Sequence, residues 1–145
     1  MIKIICVGKI KEKFFREAIV EYTKRISKFT KIEIIEVNDD INIEKEKNSI
    51  LKYINNKDYI ITLEIEGESI SSEELSEKIE KIFITNSNIT FIIGSSLGIH
   101  QDIKNLSNFK LSFSKMTFPH QLFRIILLEQ IYRSFKIINN ETYHK

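Results

Sequence analysis

The feature that most constrains this fold is the segment Pro119–Ile138, which is apolar on almost every face of a helix. Pro119, the only proline in the chain, suits the first turn of a helix, where its missing N–H is not needed and its fixed φ is already helical. Thr117, just before it, is the expected N-terminal cap. The segment therefore predicts a helix of about 20 residues, roughly 30 Å long.

Only a narrow polar stripe, formed by Glu129, Arg133 and Lys136, interrupts this helix. A helix that is apolar nearly all round must be covered on more than one side. Its own sheet can cover one side, but a chain of 145 residues has little left to cover another. We therefore expect a homodimer whose interface is built around Leu111–Ile138.

Short apolar runs alternate with amphipathic segments along the whole chain. This alternation is typical of an α/β fold with a mostly parallel sheet flanked by helices. No linker or repeat divides the sequence, so residues 1–145 are expected to form one domain. Strands are predicted at Ile2–Val7, Ile32–Val37, Tyr59–Glu64, Ile89–Ile93 and Lys110–Phe113. Helices are predicted at Phe14–Phe29, at Ile43–Ile54, after a capping box of Ser71 and Glu74, at His100–Asn105 and at Pro119–Ile138.

The composition excludes several classes of protein. With 22 basic and 20 acidic residues the net charge is only +2, so an RNA substrate would require positive charge that is concentrated locally. No apolar run reaches the roughly 20 residues of a membrane span, and the initial MIKIICV is too short for a signal peptide. The single cysteine, Cys6, suits a reducing cytoplasm and a buried core position. Three dispersed histidines predict no metal site, and His100 is expected at the surface.

Three loops follow predicted strands, at Leu63–Gly67, Gly94–Gly98 and Phe113–Phe118. Open parallel sheets bind ligands beyond the carboxyl ends of their strands. Small and polar residues in two of these loops would let a ligand approach the backbone closely. The residues alone are equally consistent with ordinary strand-to-helix turns.

The loop Gly94-Ser95-Ser96-Leu97-Gly98 also reads G-x-S-x-G, the pattern of a nucleophile elbow between a strand and a helix. Asp102 and either His120 or His144 follow Ser96 in the order that a serine hydrolase requires. Against this alternative, the chain is short for that fold and Asp102 lies only six residues from Ser96. Such a short motif also has an appreciable false-positive rate.

A long run of unusual order carries a family resemblance: SFSKMTFPHQLFRIILLEQIYRSFKI with the terminal YHK, together with VGK, TLEIEG and the IGxxxG loop. In these segments the chain closely resembles the ribosomal RNA large subunit methyltransferase H family of SPOUT-class enzymes. The resemblance implies an α/β knot, that is, a deep trefoil knot at the cofactor site. It also implies transfer of a methyl group from S-adenosylmethionine to N3 of a pseudouridine in the large-subunit (23S) ribosomal RNA of the ribosome.

The resemblance further implies a methyl-donor pocket formed by the three loops. Its implied contacts are Leu63, Gly94, Phe113, Ser114, Lys115, Met116, Thr117 and Phe118. Ser95 stands where the family usually has a second glycine, so strain is expected there if that position needs a positive φ. Substitution of Gly94 by Val is expected to block the cofactor and to leave the fold intact.

On residue physics alone, the polar tail that ends in Tyr143, His144 and Lys145 is a frayed terminus that contributes little to stability. The resemblance reverses this interpretation. His144 is the implied base or the group that orients the pyrimidine, and Arg133 would stabilise the developing oxyanion. Tyr143 and Lys145 would join them in binding substrate, in the tail's own pocket or in that of the other subunit. A non-catalytic module that binds RNA or the ribosome is the remaining alternative.

Overall fold

The computed structural model describes all residues from Met1 to Lys145. Five parallel strands form one sheet in the order β2-β1-β4-β3-β5. The strands are β1 (Ile2–Val7), β2 (Ile32–Val37), β3 (Tyr59–Ser69), β4 (Ile89–Ile93) and β5 (Phe109–Ser112). The helices are α1 (Lys13–Ile26), α2 (Ile43–Leu51), α3 (Ser72–Thr85), α4 (Gln101–Leu106) and α5 (His120–Ile138). The predicted α/β class and the parallel sheet are confirmed.

Both faces of the sheet are covered by helices. Alternate strand residues point to opposite faces, so the sheet contributes to two core clusters. On β1, Ile2, Ile4 and Cys6 join a core cluster with α1, α3 and α5, whereas Ile5 and Val7 join a second cluster with α2 and α4. Every residue of β1 is buried, as its apolar residues predict, and the one charged residue, Lys3, is buried with its ammonium 3.2 Å from Asp58 Oδ2. The result is a central sheet with three helices on one face and two on the other.

β3 is longer than predicted, because it continues past Glu64 to Ser69. Its pairing with β5 shifts register between Leu63 and Glu68, so the residues between them bulge away from the ladder. Gly67 allows the two strands to approach closely there, since a Cβ at this position would lie 2.8 Å from the carbonyl of Lys110. The bulge sits at the carboxyl edge of the sheet, where it contributes to the cavity described below.

The start of α5 differs from the prediction. The helix begins at His120, and Pro119 is the N-cap residue with an extended ψ of 136°. No side chain caps the helix, so the expected cap at Thr117 is wrong. By contrast, the capping box of α3 is confirmed, because the Ser71 hydroxyl accepts from Glu74 N and the Glu74 carboxylate accepts from Ser71 N.

α5 receives more cover from its own chain than the sequence indicated. It packs on the sheet and against both α1 and α3, and the ring of Phe135 stacks on Phe29 with centroids 5.8 Å apart. The least covered apolar side chain of the helix is Leu122, which is 37% exposed. The homodimer stays a prediction, and the apolar surface of α5 that is left for an interface is smaller than the sequence indicated. None of the helices has the length and apolar character that a membrane crossing requires.

Candidate functional site

The three loops meet at the carboxyl edge of the sheet around a cavity of about 370 Å³. This volume lies in the range of ligand pockets, roughly 300–1,000 Å³. Seven of the eight residues expected to contact a methyl donor line it; Lys115 does not. The seven are Leu63, Gly94, Phe113, Ser114, Met116, Thr117 and Phe118. The structure therefore brings together residues that are up to 55 positions apart in the chain.

One wall of the cavity is aromatic. Phe123, from the first turn of α5, packs against Phe113 at 5.2 Å and against Phe118 at 5.9 Å between ring centroids. Leu63 of β3 and Leu111 of β5 add apolar surface to the same cavity. Apolar and aromatic surfaces of this kind suit a flat, weakly polar ring.

The lining of the cavity also includes charged groups that the sequence did not single out. Glu64 and Glu66 come from the β3 bulge, and Lys104 reaches the same cavity from α4. The Lys104 ammonium lies 3.4 Å from Glu64 Oε1, and Thr62 donates to Glu64 Oε2 at 2.6 Å. The alternation of Glu64 and Glu66 with Ile65 was the signal for a longer strand. Carboxylates beside an aromatic wall suit a ligand that combines a ring with positive charge.

The loop Gly94–Gly98, called the glycine loop below, is built from its own backbone. A Cβ on Gly94 would lie 2.5 Å from the Gly98 oxygen and 2.8 Å from Ile99 Cγ1. Gly98 has a φ of +80°, and its N–H donates to the Ser95 oxygen at 2.9 Å. A valine at Gly94 would therefore distort the loop itself, so the expectation that this substitution leaves the fold intact is wrong.

Ser95 shows no backbone strain, because the only non-glycine residue with a positive φ is Asn140. Its hydroxyl donates to Glu46 Oε1 at 2.7 Å and accepts from Leu97 N at 3.1 Å. A serine is thus accommodated in the glycine loop by two hydrogen bonds.

The carboxyl-terminal tail packs back on α5 instead of fraying. The ring of Tyr143 lies edge-on to Tyr132 at 5.0 Å, and its hydroxyl donates to Glu129 Oε1 at 3.0 Å. Arg133 lies over the same ring at 4.7 Å. The physical expectation of a loose terminus is therefore wrong for Tyr143, while Lys145 remains exposed.

His144 joins this group from the tail. Its Nδ1 lies 3.1 Å from Arg133 Nη1, and its Nε2 lies 2.6 Å from Glu73 Oε1 on α3. A guanidinium can only donate, so Nδ1 is the acceptor and Nε2 carries the hydrogen. Hydrogen bonding with Glu129 raises the pKa of Arg133, and hydrogen bonding with His144 lowers the pKa of Glu73.

The tail cluster, defined as Glu73, Glu129, Arg133, Tyr143 and His144, does not line the main cavity. A second cavity of about 250 Å³ adjoins the main cavity, with which it shares Leu111, Phe113 and Phe118. Its lining also includes Ser72 and Gln130, the sequence neighbours of Glu73 and Glu129.

The arrangement of a serine hydrolase is not assembled. Ser96 is exposed in the glycine loop, and no hydrogen bond joins it to a histidine. Asp102 pairs with Lys47 at 3.3 Å. His100, expected at the surface, is instead 15% exposed and caps α4, because its Nδ1 accepts from Asp102 N at 2.9 Å. No cluster of three or more potential metal ligands occurs.

Comparison with known proteins gives a match over the whole chain. The family described as "Predicted SPOUT methyltransferase" matches residues 1–144. A Clostridium botulinum protein named ribosomal RNA large subunit methyltransferase H is 54% identical, with 99% of each chain covered. A Methanococcus maripaludis protein that carries this name provisionally is 55% identical at the same coverage.

Among solved structures, the tRNA (m1G37) methyltransferase from Aquifex aeolicus has a similar fold. The TM-score is 0.55, and the match covers 91% of this chain and 69% of that one. At 15% identity this similarity concerns the fold alone.

Proposed function

Because this chain belongs to the SPOUT methyltransferase family, we propose that it methylates N3 of a pseudouridine in large-subunit ribosomal RNA. The observation that carries the proposal is identity above 50%, over almost the full length, to relatives named for methylation of large-subunit ribosomal RNA. The enzyme is a methyltransferase, and its methyl donor is S-adenosylmethionine. We further propose that residues 1–145 form one domain with a trefoil knot, and that the enzyme works in the cytoplasm, where its substrate is.

The chemistry of the main cavity fits this cofactor. The aromatic wall of Phe113, Phe118 and Phe123 suits the adenine ring of the cofactor. The carboxylates of Glu64 and Glu66 suit the positively charged groups of the cofactor. The proposed cofactor contacts are the eight residues that the family resemblance implies, namely Leu63, Gly94 and the six residues Phe113 to Phe118. When bound, the cofactor supplies an electrophilic methyl group on a sulfonium centre. The chain then has to align the target nitrogen and exclude water, and such alignment can supply roughly 7–11 kcal/mol of a barrier.

The target nitrogen carries an imide proton that a base must remove. His144 is the proposed base or orienting group, and Arg133 the proposed partner of the developing oxyanion. In the described arrangement the Nδ1 lone pair of His144 faces Arg133 and the Nε2 hydrogen faces Glu73. His144 must therefore leave Arg133 before it can accept a proton at Nδ1, so we propose that the tail moves when substrate binds. Tyr143 and Lys145 would accompany it, into its own cavity or that of a partner subunit.

Local positive charge for RNA is available at the carboxyl edge of the sheet. The segment Gly8–Arg16, called the basic segment below, carries four basic residues and one acidic residue. Its net positive charge is therefore larger than the +2 of the whole chain. Lys9, Lys11 and Lys13 are exposed. The segment follows β1, the neighbour of β4 in the sheet, and Lys11 N donates to Gln121, the residue after cavity-lining His120. We propose that this segment contacts RNA phosphates.

The experiment that tests the function compares full-length protein, protein lacking Tyr143–Lys145, and the variant His144→Ala. Methyl incorporation from S-adenosylmethionine into unmodified ribosomes is measured together with cofactor binding by calorimetry. We expect activity to fall about 10²–10⁴-fold in both altered proteins, with cofactor affinity retained because the three loops are intact. The docked Tyr143 leads us to expect that the truncation also lowers the free energy of unfolding by about 1 kcal/mol.

Thr142→Ala is the matched control, because Thr142 is an exposed tail residue outside the tail cluster. Full activity of the truncated protein would remove the tail from the mechanism. Binding of the wild-type protein to ribosomes without binding of S-adenosylmethionine would instead favour the non-catalytic RNA-binding module.

A further inference from the structure

We infer that Glu46 is a positioning residue for the glycine loop, and that α2 braces this loop in the shape that binds the cofactor. The inference rests on the proposed function, because it assigns a role in cofactor binding to residues that do not line the main cavity. Neither Glu46 nor any other residue of α2 belongs to the cavity lining. The sequence of α2, IEKEKNSIL, is charged or polar apart from Ile43, Ile50 and Leu51, so its glutamates would be expected on the solvent-exposed face of the helix.

Glu46 is not solvent-facing: it is 2% exposed. Its Oε1 accepts from the Ser95 hydroxyl at 2.7 Å, and its Oε2 accepts from Asp40 N at 2.9 Å. Both carboxylate oxygens are thus engaged, one by the glycine loop and the other by the segment that follows β2. A buried carboxylate is costly unless it is hydrogen-bonded. The burial of Glu46 therefore depends on these two hydrogen bonds.

The glycine loop needs an anchor outside itself. Ser96, Leu97 and Gly98 are exposed, and the contacts within the loop are local: the short bridge between Ser95 and Gly98 and the hydrogen bond from Leu97 N to the Ser95 hydroxyl. The bond from Ser95 to Glu46 connects this exposed loop to α2, which packs on the face of the sheet formed by Ile5 and Val7. Loss of the bond leaves the loop attached mainly through its ends, which widens the set of shapes that it samples.

α2 also holds the far end of the same segment, where α4 begins. Glu44 Oε1 lies 2.6 Å from His100 Nε2, and Lys47 reaches Asp102 at 3.3 Å while also pairing with Glu44 at 2.7 Å. One helix therefore contacts residues at both ends of the stretch from Ser95 to Asp102. This is the arrangement of a brace, with Glu46 as its buried member.

The test measures S-adenosylmethionine binding by calorimetry and steady-state methylation of ribosomes. For Ser95→Ala and Glu46→Ala we expect the cofactor Kd and KM to rise about tenfold, a coupling typical of contacting residues. The kcat at saturating cofactor should be unchanged, because the bond shapes the loop before the cofactor binds and does not touch the reacting atoms. Glu46→Gln should restore affinity to within about threefold, because its amide can donate to Ser95 and accept from Asp40 N. The double variant Glu46→Ala with Ser95→Ala should lose no more affinity than either single variant.

Asp58→Asn is the matched control for general destabilisation, because Asp58 is also a buried, hydrogen-bonded carboxylate, 6% exposed, at the opposite edge of the sheet. It should leave the cofactor Kd unchanged. An unchanged Kd in Ser95→Ala, or an equal rise in Asp58→Asn, would overturn the inference, even if Glu46→Ala does not fold. A wild-type protein that fails to bind S-adenosylmethionine would overturn the proposed function and this inference together. Wild-type binding with equal binding by the variants would overturn only the inference.

Discussion

At the scale of single residues, Arg124 shows how the chain uses a buried charge. Its side chain, near the amino-terminal end of α5, is 1% exposed. It donates to Glu36 Oε2 at 2.6 Å and to the Gly8 oxygen at 3.1 Å, while its Nε has no partner. Arg124 thereby joins the first helical turns of α5 to the ends of β1 and β2. Burial raises the pKa of nearby Cys6 to about 11, so Cys6 remains a neutral core thiol, as predicted.

Asp58 is the residue whose protonation should matter most for stability. It accepts hydrogen bonds from Lys3, Asn55 N, Asn88 and Thr90. Burial alone would raise its pKa, but these bonds outweigh burial and lower the pKa below its usual value. Because the folded-state pKa is the lower one, the stabilisation is complete above the unfolded-state value of about 3.9 and is lost as pH falls through the folded-state value.

We predict that Asp58→Asn lowers the free energy of unfolding by about 3 kcal/mol at neutral pH, since it leaves Lys3 buried without its counter-charge. The difference from the wild-type protein should narrow as the pH falls below about 4. Urea denaturation across this range measures both effects. Asp39→Asn, at an exposed carboxylate, is the control. A destabilisation that is the same at acidic and neutral pH would contradict the assignment.

At the scale of elements, α5 connects the parts of the proposed active site. Its first turns supply Phe123 to the main cavity, and Glu129 and Arg133 belong to the tail cluster. Leu127, Leu128 and Ile131 bury the middle of the helix against the sheet. The remaining apolar surface is a row that begins at exposed Leu122 and continues through half-buried side chains. This row is the face that we propose for the homodimer.

We predict that Leu122→Glu converts dimers into monomers, because a charge in an apolar interface would lose its hydration without gaining a partner. Sedimentation velocity at micromolar concentration measures the change. Ile84→Glu is the control, because Ile84 is an exposed apolar residue near the end of α3, 78% exposed, and outside the proposed face. A wild-type protein that sediments as a monomer would rule out the dimer, whatever the variant does.

At the scale of the whole molecule, exposed lysines occur at both edges of the sheet. The basic segment lies at the carboxyl edge with the main cavity, although the chain as a whole is nearly neutral. Lys28 and Lys31 are also exposed, but they lie near the amino end of β2 at the opposite edge. Lys9 and Lys11 of the basic segment differ from Lys28 and Lys31 mainly in position, so the two pairs form a matched comparison.

We predict that the double variant Lys9→Gln with Lys11→Gln weakens ribosome binding and flattens its salt dependence. For each phosphate that the variant no longer neutralises, the slope of log affinity against log salt should become shallower by about 0.7–0.9. The variant Lys28→Gln with Lys31→Gln should keep the wild-type slope, and both should bind S-adenosylmethionine normally. Ribosome affinity measured at several salt concentrations provides the slopes. Equal slopes for the two variants would contradict an RNA-binding role for the basic segment.

Local patterns in the sequence are sufficient to predict the alternation of strands and helices, the α3 capping box and the apolar character of α5. These features depend on local propensity and on periodicity, which can be read from neighbouring residues. The family resemblance added the residues of the cofactor loops, seven of which line one cavity. It also added the tail residues, whose catalytic roles stay predictions.

The long-range partners of the polar side chains, by contrast, are defined by the three-dimensional fold alone. Glu46 bonds Ser95 across 49 positions, Arg124 bonds Glu36 across 88 and His144 bonds Glu73 across 71. Each of these residues has the polarity of a surface position when read locally. These contacts depend on the order of strands in the sheet, which brings the partners together, and no periodicity along the chain encodes that order.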